Sequence, residues 1–373
     1  MPATLADCLA VIDGLYDPRS AEAWDRVGLV VGDLGQRVSR AVVAVDPTVE
    51  VATDAVAAGA QLLLTHHPLF LRGTSTVAET TPGGRVVAAL IRGGCALVAA
   101  HTNADKARPG VSDALLAALG VGPGEPLVPD PGPPLDALTV VVPATDRERL
   151  LAALVAAGAG AVGAYEGCAW WTSGTGTFTP LPGSAPAVGE VGRRALVDED
   201  RIELVLPPER RRAVLAALRV THPYEEPAYA LWPVVTTGRT GLGRVGELPA
   251  PEPLSSFVAR VATRLPRTVV GVRATGDGDT VVRRVAVVGG AGGEHAEDAA
   301  RARADVFVTS DLRHHTAQDL ALPVVDVAHW AAERPWCDQA ARLLAEGVLA
   351  ATGQRVTVTA SDRVTDPWRW HAG

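Results

Sequence analysis

Two adjacent histidines, His66 and His67, end the apolar run Gln61-Leu-Leu-Leu-Thr-His-His-Pro-Leu69. Four apolar or β-branched residues ahead of them and a proline behind predict a buried strand that stops abruptly. The carboxyl end of such a strand is where open α/β sheets place their ligand sites. Two further segments repeat the pattern of an apolar strand closing on a polar cluster: Cys95-Ala-Leu-Val-Ala-Ala-His-Thr-Asn-Ala-Asp105 and Val324-Val-Asp-Val-Ala-His-Trp-Ala-Ala-Glu333. Imidazole and carboxylate without thiolate suit zinc, iron, manganese, cobalt or nickel. His329 and Glu333 are four residues apart at a predicted helix start, so both side chains can reach one ion or bridge two. His101 and Asp105 share that spacing, although Asn103 and Pro109 predict a loop there. Side chains of neighbouring residues on extended backbone diverge. His66 and His67 are therefore hard to place on one ion, whereas two ions with a bridging carboxylate accommodate both. Singly, each residue has a plainer reading: a hydrogen-bonded histidine, a solvated Glu333, a loop-capping Asp105. Three such clusters together point to a centre for two divalent metal ions per chain.

The elements that must position these residues alternate between strand and helix. Strands are predicted at Val42–Val45, Gln61–Leu64 and Cys95–Ala99, with helices at Val49–Ala58, Val86–Arg92 and Val111–Leu119, a rhythm that implies βαβ units and mostly parallel strands. Six prolines between Pro123 and Pro134, mixed with glycines, then read as a linker. A different section follows, with strands at Ala137–Val142 and Arg201–Val205 and helices at Arg147–Ala157 and Arg210–Leu218. Beyond Gly241-Leu-Gly-Arg-Val-Gly246 the alternation returns, with strands at Val285–Val288, Asp305–Val308 and Val324–Val327. The expected organisation is one three-layer α/β domain, residues 1–126 and 243–373, interrupted by a small inserted domain at 127–242; loops tolerate such excursions. At 373 residues two cores are the default.

Composition limits the function classes. The net charge is −8, and Arg210-Arg-Arg212 is the one compact basic run, so nucleic acid is not an expected partner. The four widely spaced cysteines, with no CxxC, imply no disulfide framework and a reducing compartment; Cys95 is expected to fill core. The amino terminus lacks the features of a signal peptide, and no apolar stretch reaches the roughly 20 residues that span a bilayer. A cytoplasmic protein without membrane contact is expected.

Several motifs also match a known family. Trp24-Asp-Arg-Val-Gly-Leu29, Thr65-His-His-Pro-Leu69, Ala100-His-Thr-Asn-Ala-Asp105, Thr309-Ser-Asp-Leu-Arg-His-His315 and His329-Trp-Ala-Ala-Glu333 resemble, nearly end to end, the Nif-three-like family of GTP cyclohydrolase 1 type 2 homologs. Arg26 stands where that family usually has Asn, and Ser310 and Ala328 where it usually has Gly. In the central section, Gly174-Thr-Gly-Thr-Phe-Thr-Pro180, Gly189, Glu203 and His222-Pro-Tyr-Glu-Glu-Pro-Ala228 resemble the insert of longer members, which is similar to small ferredoxin-like trimeric signalling proteins. The resemblance implies that His66, His67, Asp105, His329 and Glu333 are metal ligands, with His101 and His315 as further site histidines. It also implies a ferredoxin-like α+β insert and a homohexamer arranged as a trimer of dimers.

Two readings of function follow. In one, two divalent ions activate water in a hydrolase acting on a nucleotide or related small molecule, with His101 or His315 moving protons. In the other, the metals serve a non-catalytic regulatory or scaffold assembly. The turn Val287-Val-Gly-Gly-Ala-Gly-Gly-Glu294 is either a tight β-to-α connection or a backbone cradle for phosphate at the same rim. His222-Pro-Tyr-Glu-Glu-Pro reads as a proline-shaped loop rather than a metal site, and Trp170, Trp171, Trp368 and Trp370 as packing or interface anchors.

Overall fold

The computed structural model describes residues 2–372, which form two compact units. The first runs to Asp130 and resumes at Arg239; the second is Pro131–Gly238. The first unit is a mixed α/β fold with two sheets. A five-stranded sheet has the order Gly28–Val31, Ala96–Ala99, Leu62–Thr65, Arg40–Ala44, Thr357–Ala360. All its pairs are parallel except the edge pair of Gly28–Val31 with Ala96–Ala99. A six-stranded sheet has the order Val272–Ala274, Val324–Val327, Val306–Ser310, Val281–Ala291, Thr237–Pro253, Glu125–Pro131. Its centre is parallel, but Val272–Ala274 runs antiparallel to Val324–Val327, and Thr237–Pro253 runs antiparallel to Val281–Ala291. The expectation of mostly parallel strands therefore holds apart from Gly28–Val31, Val272–Ala274 and Thr237–Pro253.

Helices cover both faces of each sheet, which is why the central strands read as unbroken apolar runs. Leu62–Thr65, Ala96–Ala99 and Val324–Val327 are buried at every position. On the five-stranded sheet, Leu62, Leu64, Val43 and Val98 face the helices Leu5–Leu15 and His329–Thr352, while Leu63, Leu97 and Val42 face the helices Val49–Ala57 and Pro82–Gly93. In the other sheet Val285, Val287 and Val308 pack with the helices Val111–Leu119 and Leu254–Arg264, and Ala286, Val288 and Phe307 face the opposite side.

The proline-rich stretch expected as a linker is the edge strand Glu125–Pro131. An edge is where a sheet admits proline, because one side of the strand needs no ladder donors. The break between units accordingly falls after Asp130, a few residues later than composition suggests, and the chain returns at Arg239. The predicted loop around His101 is also corrected: Thr102–Lys106 is a short helix. The amide of His101 donates to the Asn103 side chain, so Asn103 folds the chain back at the start of the turn rather than breaking it.

The second unit has the order β-α-β-β-α-β. Its antiparallel sheet runs Ala169–Phe178, Ala195–Leu206, Leu135–Pro143, Tyr229–Val234, with the helices Arg147–Ala156 and Arg211–Thr221. Leu138, Val140, Ile202 and Leu204 close a core with Leu150, Leu154, Val214 and Leu218 from the two helices. The unit thus has a hydrophobic core of its own, and Gly132 N–H bonds the Thr236 carbonyl at 2.9 Å where the chain enters and leaves it. Replacing residues 131–238 by a short linker should leave a soluble remainder that unfolds cooperatively in thermal denaturation. Aggregation or a broad, non-cooperative transition would show that the first unit depends on the second.

Candidate metal centre

The carboxyl ends of strands from both sheets of the first unit converge on one cluster. His66 and His67 follow Leu62–Thr65, His101 follows Ala96–Ala99, and His329 and Glu333 open the helix after Val324–Val327. The backbone holds the histidine pair in register: the His66 and His67 amides donate to the Ala44 and Val45 carbonyls at 3.0 and 2.9 Å. The Thr65 hydroxyl donates to the His67 carbonyl at 2.8 Å and tightens the turn before Pro68.

The Glu333 carboxylate occupies the middle, 2% exposed. Its Oε1 lies 2.9 Å from His329 Nε2 and 3.4 Å from His66 Nε2, and its Oε2 lies 3.2 Å from His67 Nε2. Asp105 Oδ1 is 3.7 Å from His66 Nε2. Two sets of donors, His66 with His67 and His101, and His67 with His329 and Glu333, each bring their ligand atoms within 4.8 Å of one another. The adjacent histidines are thus not divergent; their ring centroids are 5.0 Å apart and His67 belongs to both sets.

The other face of each imidazole is spoken for. His67 Nδ1 bonds Asp46 at 2.7 Å, His101 Nδ1 bonds Asp25 at 2.8 Å, His329 Nδ1 bonds Asp311 at 2.6 Å, and His66 Nδ1 bonds the Ala100 carbonyl at 3.0 Å. Carboxylates and carbonyls only accept, so each Nδ1 must carry the proton. In the neutral ring Nε2 is then left with its lone pair. This is the arrangement in which histidines bind metals, with an oxygen acceptor fixing tautomer and ring orientation. His66 Nε2 and Glu333 Oε2 are buried and form no hydrogen bond among the described residues. Buried polar atoms left without a partner in this way fit cation ligands.

The electrostatics favour positive charge at the same place. Burial works against charge on His67, but the Glu333 and Asp46 carboxylates outweigh it and push the imidazole up to about 11. His329 is likewise disfavoured by burial and carried up to about 10 by Glu333 and Asp311. Burial would raise Glu333; the imidazoles of His67, His66 and His329 instead hold it well below the usual carboxylate range. Asp105 is raised by burial, with His66 opposing.

Gly290 makes room for the cluster. At φ +71°, a Cβ there would stand 2.6 Å from Glu333 Oε1 and 3.0 Å from His329 Nε2. The glycine-rich turn thus reaches the site as a close backbone approach. The residues that sequence reasoning missed are the three aspartates. Asp25 stands in the quoted Trp24 segment, and Asp46 and Asp311 each follow a predicted strand, the same signal that marked the histidines. Asp311 has φ +58°, an uncommon conformation for a non-glycine residue and one that collects at functional sites. Ala328, by contrast, has an ordinary extended backbone at φ −64° and ψ 136°, so no glycine is required there. His315 is exposed in the short helix His314–Asp319, with its ring 5.2 Å from that of His314, and it belongs to neither set of donors.

Asn accepts a left-handed backbone as Asp does, so Asp311→Asn removes charge with little strain. It should weaken metal retention about 10–100-fold, measured by competition with a chelator. Gly290→Ala should lower metal content by intruding on Glu333; full loading would show that the turn yields.

The chain resembles known proteins along nearly its whole length. Residues 3–367 match the model of the family described as Duf34/NIF3 (NGG1p interacting factor 3). The chain is 48% identical over 374 residues to a Mycobacterium tuberculosis protein named GTP cyclohydrolase 1 type 2 homolog, covering 99% of this chain and 97% of that one. It is 41% identical over 325 residues to a Bacillus subtilis protein of the same name, covering 85% and 87%. A solved structure described as a Bacillus cereus protein related to NIF3 superposes with a TM-score of 0.70 at 34% identity, covering 100% of both chains. The chain belongs to the Duf34/NIF3 family.

Proposed function

We propose that this centre holds two divalent metal ions and that the protein is a metal-dependent hydrolase acting on a nucleotide or a related compound. The observation that carries the reading is the set of four imidazoles with every Nδ1 bound to an oxygen acceptor, grouped around the buried Glu333. His66, His67, Asp105, His329 and Glu333 are the residues that would hold the ions. When bound, such ions supply Lewis acidity toward a carbonyl, imine or phosphoryl oxygen and activate water. His101, held by Asp25 through Nδ1 and 15% exposed at its side chain, is the proposed proton carrier. Space for a substrate lies alongside: a cavity of about 570 Å³ is bordered by His67, His329, Arg273 and Trp368. Pockets for small ligands are commonly roughly 300–1,000 Å³. The name of the mycobacterial relative suggests a purine nucleotide such as GTP.

The proposal extends to a ferredoxin-like identity for the second unit, supported by its β-α-β-β-α-β order, to a homohexamer, and to a cytoplasmic location. No helix among the described residues is long and apolar enough to cross a membrane. The second reading, a metal-binding regulatory assembly without turnover, draws support from that same unit, which has a separate core and a cavity of its own.

Elemental analysis of protein purified without chelator should give two metals per chain; saturation at one would remove the dinuclear reading. Glu333→Gln should lose metal and activity together. His101→Asn should keep the metal and lower turnover of a nucleotide panel by roughly 10²–10⁴-fold. Unchanged turnover with full metal would take His101 out of the reaction. Wild-type protein that binds nucleotide but hydrolyses none of the panel would favour the regulatory reading.

A further inference from the structure

A second cavity, of about 920 Å³, lies wholly within residues 131–238. It brings together two motifs separated in the chain: the Gly174-Thr-Gly-Thr-Phe178 segment and the His222-Pro-Tyr-Glu-Glu loop. Glu199, 8% exposed, stands between them. The Tyr224 hydroxyl donates to Glu199 Oε1 at 2.7 Å, while Oε2 lies over Gly176 and receives no hydrogen bond from any described residue. Glycine leaves room for the carboxylate where it stands, since a Cβ at position 176 would fall 1.6 Å from that oxygen.

The framework around the carboxylate is fixed. His222 accepts the Tyr224 amide at Nδ1, 3.0 Å away, and donates from Nε2 to the Val141 carbonyl at 2.8 Å. Burial holds this imidazole below its usual pKa, so it is a neutral brace with both nitrogens occupied. Burial and the neighbouring Glu199 raise the Tyr224 phenol, which stays a donor. Phe178 meets Tyr224 edge to face at 5.6 Å and adds an aromatic wall.

The charges lining this space are unbalanced. Glu199, Glu225 and Glu226 face one cation, Arg201, whose guanidinium is already engaged by Glu203 at 2.6 Å and by the Thr139 hydroxyl. A buried carboxylate with a free oxygen beside aromatic rings is complementary to an organic cation, through charge-assisted hydrogen bonding and the ring faces. The geometry points to a binding site in the second unit for a small organic cation, an amine or amidinium on an aromatic or apolar body, with Glu199 as its counter-charge. This site is independent of the metal centre and does not rest on the hydrolase reading.

The test is calorimetric titration of the full-length protein with benzamidine and tyramine, against the neutral benzamide and the anionic benzoate. Saturable binding of a cation at millimolar or tighter Kd is expected, with benzamide and benzoate weaker by about tenfold or more. Glu199→Gln should weaken the cation by about tenfold or more while metal content stays unchanged. Phe178→Ala, which keeps the carboxylate, serves if Glu199→Gln does not fold, and should weaken binding several-fold. No saturable binding of either cation, equal binding of benzamide, or wild-type affinity in a folded Glu199→Gln protein would each overturn the assignment.

Discussion

Glu333 carries a full carboxylate to a position 2% exposed, between the Nε2 atoms of His66, His67 and His329. Alone, such a buried charge would cost several kcal/mol. It is tolerable because the helix that carries Glu333 starts at the end of one sheet and the paired histidines leave the end of the other. The interaction therefore fixes how the two sheets of the first unit meet. The next turn of the same helix reinforces the joint: Trp336, fully buried, donates its indole N–H to the Tyr16 hydroxyl at 3.1 Å and packs its ring, tilted, 5.4 Å from that of His66. Removing one partner would leave charge uncompensated in the interior, so polar and apolar contacts here stand together.

Around this centre lies a ring of carboxylates that are themselves held. Asp25 accepts from the Thr102 amide at 3.0 Å and the Thr102 hydroxyl at 2.5 Å while it orients His101. Asp46, which orients His67, also accepts from the Thr365 hydroxyl near the end of the described chain. His101 and His67 are thus aimed by carboxylates whose own positions are set by hydrogen bonds, which is what a preorganised site requires.

Much of this was legible in the sequence, for a definite reason. The central strands are buried on both faces, so Leu62–Thr65 and Val324–Val327 appear as continuous apolar runs, and the ligand-type residues stand where those runs stop. The supporting aspartates carried a weaker signal, since a lone Asp after a strand looks like an ordinary turn residue. Edge elements were less visible. Ala169–Phe178 is exposed along most of its length and reads Ala-Trp-Trp-Thr-Ser-Gly-Thr-Gly-Thr-Phe, with no alternation to mark a strand. Glu125–Pro131 was masked by its prolines. Trp170, Trp171, Trp368 and Trp370 are all exposed, at 58%, 43%, 64% and 93%. As packing anchors within the chain they fail, because hydrophobic type alone does not say which surface a residue covers.

The route of the chain through the second unit bears on how the first can fold. The strands Glu125–Pro131 and Thr237–Pro253 are sheet neighbours, yet more than a hundred residues separate them. Closing so large a loop by diffusion of an unstructured chain is slow and entropically costly. A second unit that folds first changes the problem, because Gly132 and Pro133 are then hydrogen-bonded to Thr236 at its exit. Its two ends emerge side by side, and the distant strands meet as if they were the arms of a short hairpin. In kinetic terms the insert is a folded turn, converting the longest-range pairing of its host sheet into a nearly local one.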